Sequence, residues 1–217
     1  MSVVLLDLDG TLSDSKPGIV ASFRYMLGQM GHDAETVGDL TWAVGPPIGV
    51  SIARMLEQYG DRRAEEGVAI YRARYSEIGI YDCTVYPGIV AMLDTLRGAD
   101  ITMCVATSKR RDFADRVMDH LSLRGYVKEV YGALPGGGLD EKYDLLAHIL
   151  SVEGFSKSDT IMLGDRMHDM HAAERNNLRG IGVLWGYGSH PELEKAGASA
   201  VATVPGDVPR LVAELLQ

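Results

Sequence analysis

Val3-Val4-Leu5-Leu6-Asp7-Leu8-Asp9-Gly10-Thr11-Leu12 is the stretch that decides how this chain is read. Its first four residues are apolar, two of them β-branched, which is the composition of a buried strand. The run stops at Asp7. Asp9 follows at the spacing of two that puts both carboxylates on one side of an extended chain. Gly10 then permits a tight turn and a close approach of backbone to a ligand. The Gly10 and Thr11 amides can donate to phosphate oxygens at a helix start. Two unscreened carboxylates repel, so the pair calls for a divalent cation or a raised pKa. One acid could then be an ionised nucleophile and the other a proton donor. A solvated Asp pair in a turn also fits these two residues taken alone.

Two further apolar runs end in the same way. Ile101-Thr102-Met103-Cys104-Val105-Ala106 leads to Thr107, and Thr160-Ile161-Met162-Leu163 leads to Gly164-Asp165. Weaker strand candidates lie at 129–131, 182–185 and 200–204. Helical spacing fills 89–96, 112–121, 142–150, 167–176 and 208–216. Strands alternating with helices predict an α/β fold, a doubly wound (Rossmann-like) parallel sheet covered on both faces. Ligands of such sheets bind at the carboxyl ends of the strands, so Asp7, Thr107 and Asp165 can converge on one crevice.

Residues 14–85 break the alternation. Helical spacing at 17–30, 48–59 and 62–78 is punctuated by Gly31, Gly45-Pro46-Pro47 and Gly60, with no convincing strand among them. The expectation is an inserted all-helical domain of about 70 residues, with Tyr86-Pro87-Gly88 marking the return to the main domain. The domains are thus predicted as 1–13 plus 86–217 and 14–85.

Asp165 and Asp169 stand in Gly164-Asp165-Arg166-Met167-His168-Asp169, after the third run. Hard oxygen ligands suit Mg²⁺, which keeps several waters and takes few carboxylates; Asp7 and Asp165 can supply them. Thr107 and Ser108 offer hydroxyl and amide donors to phosphate oxygens. Lys142, near a helix start, offers positive charge to an attacking carboxylate and to the group in transfer. These are the parts that phosphoryl transfer needs.

Composition narrows the partners. With 46% hydrophobic and 24% charged residues, the 217-residue chain reads as a soluble globular protein able to bury a core. A net charge of -9 argues against nucleic acid or an acidic membrane surface as partner. Residues 2–6 lead straight into Asp7 without a signal peptide's basic start or long apolar core. No apolar run approaches the roughly 18 residues of a membrane span. Cys83 and Cys104 are then expected to be reduced structural thiols in a cytoplasmic protein. His168 and His171 read as helix-surface residues rather than metal ligands, and Gly136-Gly137-Gly138, which lacks the P-loop pattern, as a flexible loop.

Asp7-Leu8-Asp9-Gly10-Thr11-Leu12, Thr107, Lys142 and Gly164-Asp165-x3-Asp169 resemble the four ordered motifs of the haloacid dehalogenase-like hydrolase superfamily. Further segments resemble its phosphoglycolate phosphatase-like branch: Asp14-Ser15-Lys16-Pro17-Gly18-Ile19, Gly45-Pro46-Pro47, Ala106-Thr107-Ser108-Lys109 and Gly182-Val183-Leu184-Trp185-Gly186-Tyr187-Gly188. Many relatives have Asn after the motif threonine and Lys-Pro at the later lysine, where this chain has Ser108 and Lys142-Tyr143.

The resemblance implies a Mg²⁺-dependent phosphatase. Asp7 would attack phosphorus and become an aspartyl phosphate. Asp9 would protonate the leaving oxygen, then activate water. Mg²⁺ would be held by Asp7, the Asp9 carbonyl and Asp165, with Asp169 acting through a water or by orienting Lys142. Gly10, Thr107, Ser108 and Lys142 would contact the phosphoryl group. The helical insertion would be a movable cap over a small phosphorylated metabolite, on a monomer or homodimer. A sugar-phosphate mutase is the alternative, though such relatives carry a cap histidine where Ile19 stands. A non-catalytic binding module would have lost a motif residue, and none is lost.

Overall fold

In a computed structural model, residues 1–135 and 137–217 are described; of the triglycine run, Gly136 lies outside them. Six parallel strands form one sheet in the order β5 (Glu129–Ala133), β4 (Thr102–Arg110), β1 (Val3–Leu6), β6 (Thr160–Gly164), β7 (Arg179–Val183) and β8 (Ala200–Ala202). The opening run becomes β1, a central strand buried along its length. It pairs with β4 through Val3↔Thr102 and with β6 through Val3↔Thr160. β5 flanks one side; β7 and β8 complete the other.

Alternation along the central strands divides the core in two. Val4, Leu6, Met103, Val105, Ile161 and Leu163 face one side, against α4 (Ile89–Gly98), α5 (Arg111–His120) and α9 (Val208–Leu215). Val3, Leu5, Cys104, Ala106 and Met162 face the other, against α6 (Lys142–Glu153) and α7 (Met167–Arg175). A strand covered on both faces needs no polar alternation, which is why the runs are continuously apolar. The sheet is doubly wound, as the sequence predicts.

The insertion begins and ends on a ribbon. β2 (Ser13–Asp14) pairs antiparallel with β3 (Thr84–Val85), and Tyr86 N–H donates to Leu12 O at 3.2 Å. Between these strands lie α1 (Lys16–Gln29), α2 (Ile48–Glu57) and α3 (Ala64–Glu77) with short 3₁₀ turns. Phe23, Met26, Leu27, Ile52, Met55 and Leu56 are fully buried in their midst. The same apolar cluster runs on through Leu8 and Leu12 to the sheet.

Three boundaries differ from expectation. β7 occupies 179–183 rather than 182–185, because Gly180 and Gly182 sit against Met170 and Leu193 where side chains would clash; glycine in a strand weakens the sequence signal. β4 continues past Thr107 to Arg110 through an irregularity in its pairing with β5, carrying polar residues that end an apolar run but not a strand. The ribbon strands, two residues each, are too short to show a period. α8 (His190–Lys195) was also not foreseen; Ser189 caps it by accepting from Glu192 N–H. Cys83 and Cys104 are buried free thiols, and no described helix is long and apolar enough to cross a membrane.

Candidate active site

The three strand ends do converge. Asp7 N–H extends the ladder by donating to Leu163 O at 2.9 Å, which fixes its side chain beside the end of β6. There Asp7, Asp165 and Asp169 each present a carboxylate oxygen, all within 4.8 Å of one another and all buried. Lys142, at the first turn of α6, enters from the face of the sheet that α6 shares with α7. Its Nζ donates to Asp7 Oδ1 at 2.8 Å and to Ala106 O at 2.8 Å. It also lies 2.8 Å from Asp169 Oδ1, so one ammonium is ion-paired with two of the three acids. Asp169 Oδ2 accepts from the Arg166 N–H.

Three acids around one lysine leave an uncompensated negative charge. Burial pushes the Asp7 carboxyl up to about 6, against the pull of Lys142 and with a further push from Asp169. Burial, then Asp169 and Asp7, hold Asp165 well above the usual carboxylate range. Burial disfavours the charge on Lys142, but Asp169 and Asp7 outweigh it and raise its pKa. Buried charge of one sign with orphaned oxygens is the donor set of a hard divalent cation. Asp165 Oδ1 is such an orphan among the described residues. The space around Asp165 is tailored by glycine: a Cβ on Gly10 (φ 88°) would lie 2.3 Å from Asp165 Oδ2, and one on Gly186 would lie 2.5 Å from Asp165 Cβ.

One expected role is corrected here. Gly10 N–H donates to Ser13 O at 2.8 Å, and Thr11 N–H turns back to Leu8 O. The chain after Asp9 is a tight turn rather than a helix start, so the Gly10 amide is taken up inside it and is not a phosphate donor. Gly10 makes room for Asp165.

Asp9 stands apart from the acidic cluster. Its Oδ1 accepts from Ser15 Oγ at 2.5 Å and its Oδ2 from Lys109 Nζ at 2.5 Å. Lys109 was not singled out from the sequence as a site residue; its signal was a cation two residues beyond Thr107 on the same strand end. Its ammonium also lies 5.1 Å from the Tyr75 ring centroid, which lends it a second electrostatic support. Thr107 Oγ1 accepts from Lys109 N–H at 3.2 Å.

These groups open onto a cavity of about 660 Å³ between sheet and insertion. Asp7, Asp9, Thr107, Ser108 and Lys142 line its floor. Ile19, Tyr71 and Gly45-Pro46-Pro47 contribute from the insertion. Arg166 crosses between the two: Nε donates to Glu192 Oε1 at 2.9 Å and Nη1 to Val44 O at 2.9 Å, next to that Gly-Pro-Pro turn. His168 lines the cavity and His171 is exposed on α7; neither belongs to the acidic cluster.

A model of haloacid dehalogenase-like hydrolases matches residues 4–183. Among curated proteins, the chain is 38% identical to a 5'-nucleotidase of Pseudomonas aeruginosa, over 88% of this chain and 86% of that protein. It is 36% identical to the tyrosine-protein kinase PtkA of Mycobacterium tuberculosis, over 92% of this chain and 67% of that protein. It is 30% identical to a phosphoglycolate phosphatase of Neisseria meningitidis, over 99% of this chain and 94% of that protein. A crystal structure of a predicted phosphatase from Clostridium acetobutylicum superposes with a TM-score of 0.91 at 33% identity, covering 98% of both chains.

Proposed function

The chain belongs to the haloacid dehalogenase-like hydrolases, and from that premise we propose that it is a Mg²⁺-dependent phosphatase of small phosphate monoesters, working through an aspartyl phosphate on Asp7. The observation that carries this reading is the pairing of Asp7 Oδ1 with Lys142 beside Asp165 and Asp169 at the floor of the cavity. With Oδ1 engaged, Oδ2 is the oxygen left to attack phosphorus. Relatives named 5'-nucleotidase and phosphoglycolate phosphatase support a phosphoglycolate-like ester or a nucleoside monophosphate as substrate. The cavity volume lies within the roughly 300–1,000 Å³ of small-molecule sites.

Asp7, Asp165 and Asp169 would hold the cation, with the Asp9 carbonyl in support. Bound there, Mg²⁺ neutralises the acidic centre and withdraws charge from the phosphoryl oxygens. Lys142 orients Asp7 and offers charge to the phosphoryl group, while Thr107 and Ser108 offer donors from the end of β4. Asp9 lines the same cavity, within reach of a leaving oxygen and then of the water that opens the acyl phosphate. Residues 14–85 act as the cap, closing over the ester and limiting the water that reaches it; residues 1–13 and 86–217 are the core.

The test is phosphate release by the purified chain from p-nitrophenyl phosphate and from a panel of phosphorylated metabolites, with Mg²⁺ and with EDTA. Release is expected with Mg²⁺ alone, and Asp7→Asn is expected to abolish it. Release of inorganic phosphate also identifies water as the acceptor, in contrast to transfer onto a tyrosine hydroxyl. Absence of release above background, or undiminished release by Asp7→Asn, would sink the reading.

A further inference from the structure

The loop that follows β7 joins Asp165 to the turn after Asp9 and to the start of the insertion. Trp185 Nε1 donates to Thr11 O at 2.9 Å, bracing the turn after Asp9. Tyr187 reaches further. Its backbone N–H donates to Asp165 Oδ2 at 2.7 Å. Its hydroxyl accepts from Ser15 N–H and from Lys16 N–H, both at 3.0 Å, and donates to Asp14 Oδ1 at 2.9 Å. Two donors in and one acceptor out saturate a phenol. The residues it holds are those where β2 passes into α1, the entry of the helical insertion.

That arrangement changes what Ser15 does. Ser15 is the N-cap of α1, where a serine oxygen ordinarily accepts from one of the helix's unpaired amides. Here it caps nothing. Lys16 N–H is shared between Tyr187 Oη and Asp14 Oδ1 (3.2 Å), Pro17 has no N–H, and Gly18 N–H goes to Asp82 O at 3.1 Å. The Ser15 hydroxyl is therefore left to donate to Asp9 Oδ1. One chain of contacts runs from Asp165 through Tyr187 and Ser15 to Asp9.

Resting on the phosphatase reading above, we propose that Tyr187 is a positioning residue for proton transfer: its hydroxyl pins the Ser15 backbone N–H, and so holds the Ser15 hydroxyl on Asp9. Tyr187→Phe keeps the ring, which packs on the core cluster, and removes the hydroxyl. Ser15 N–H then loses its acceptor while Lys16 N–H keeps Asp14 Oδ1, so Ser15 is no longer pinned, and Asp9 retains Lys109 but loses the directed Ser15 hydroxyl.

The discriminating measurement is kcat/KM on two esters that differ in how much they need a proton. An alkyl phosphate must have its leaving oxygen protonated; p-nitrophenolate departs without one. General acid catalysis supplies about 10²–10⁴. Tyr187→Phe is expected to lose at least about 10-fold of it on the alkyl ester, with a much smaller loss on p-nitrophenyl phosphate. Ser15→Ala should show the same selectivity, which keeps the test decisive if the tyrosine variant folds poorly. The double variant should be no worse than the more severe single, because both changes break one linkage. Equal losses on both esters, no loss on either, or additive losses in the double variant would each overturn the role. A wild-type chain that cleaves neither ester overturns the phosphatase reading first, and this role with it.

Discussion

Burial raises the proton affinity of Asp7 and Asp165 on folding, and this has a measurable sign. The Asp7 pKa rises from 3.8 to about 6, so the folded state binds a proton more readily than the unfolded one across that interval. Stability contributed by this group is present below its unfolded pKa and is lost as pH rises through about 6. A divalent cation should restore it only where the acids are ionised. Mg²⁺ is therefore expected to raise the thermal midpoint more at about pH 7.5 than at about pH 5, with EDTA reversing the gain. Equal shifts at both pH values would remove these acids from metal binding. At this scale the sequence was a good guide to acids and a poorer one to their partners. Asp7, Thr107, Lys142, Asp165 and Asp169 could be found because each stands at the end of a hydrophobic run or at the start of a helix. Lys109 and Tyr187 stand inside segments that resemble the family, but neither ends an apolar run or starts a helix, so their contacts with Asp9 and Ser15 have no signal in the pattern. Gly10 was rightly seen as a residue that permits close approach, but what approaches it is Asp165.

Elements were legible in proportion to how buried they are. β1, β4 and β6 are covered on both faces, so their apolar runs announce them; the helices of the insertion show their period because each keeps one face in the core. The ribbon of β2 and β3 is set by hydrogen bonds between two-residue strands, a feature with no compositional trace. Arg166 shows how such elements are tied together, since its guanidinium joins Glu192 of α8 to Val44 in the insertion. Removing that tie should loosen the Gly45-Pro46-Pro47 turn against the substrate without altering Asp7 or Lys142. Arg166→Ala is expected to raise KM about 10-fold while kcat stays within about 3-fold, the pattern of binding energy shared by ground and transition states. A fall in kcat at constant KM would place Arg166 in the chemistry instead.

For the whole molecule, the placement of the cavity between sheet and insertion limits what can reach the acids. A small ester fits; a phosphorylated side chain on a folded protein must bring its neighbours past the insertion. Initial rates on a phosphorylated protein are expected to fall far below those on p-nitrophenyl phosphate at equal concentration, and comparable rates would show that the site opens wider than in this structure. The doubly wound core and its helical interruption were readable from the sequence because both are written in long segments. The manner of their attachment was not. Ser13↔Val85 and Asp14↔Thr84 bring the ends of the interruption side by side, so some seventy residues hang from a single paired stem. Once the Arg166 tie to Val44 is released, a swing about that stem is expected to follow close to a one-dimensional coordinate. A pair of fluorophores, one at exposed Arg62 and one at exposed Val152, would then follow every opening and closing as a single distance.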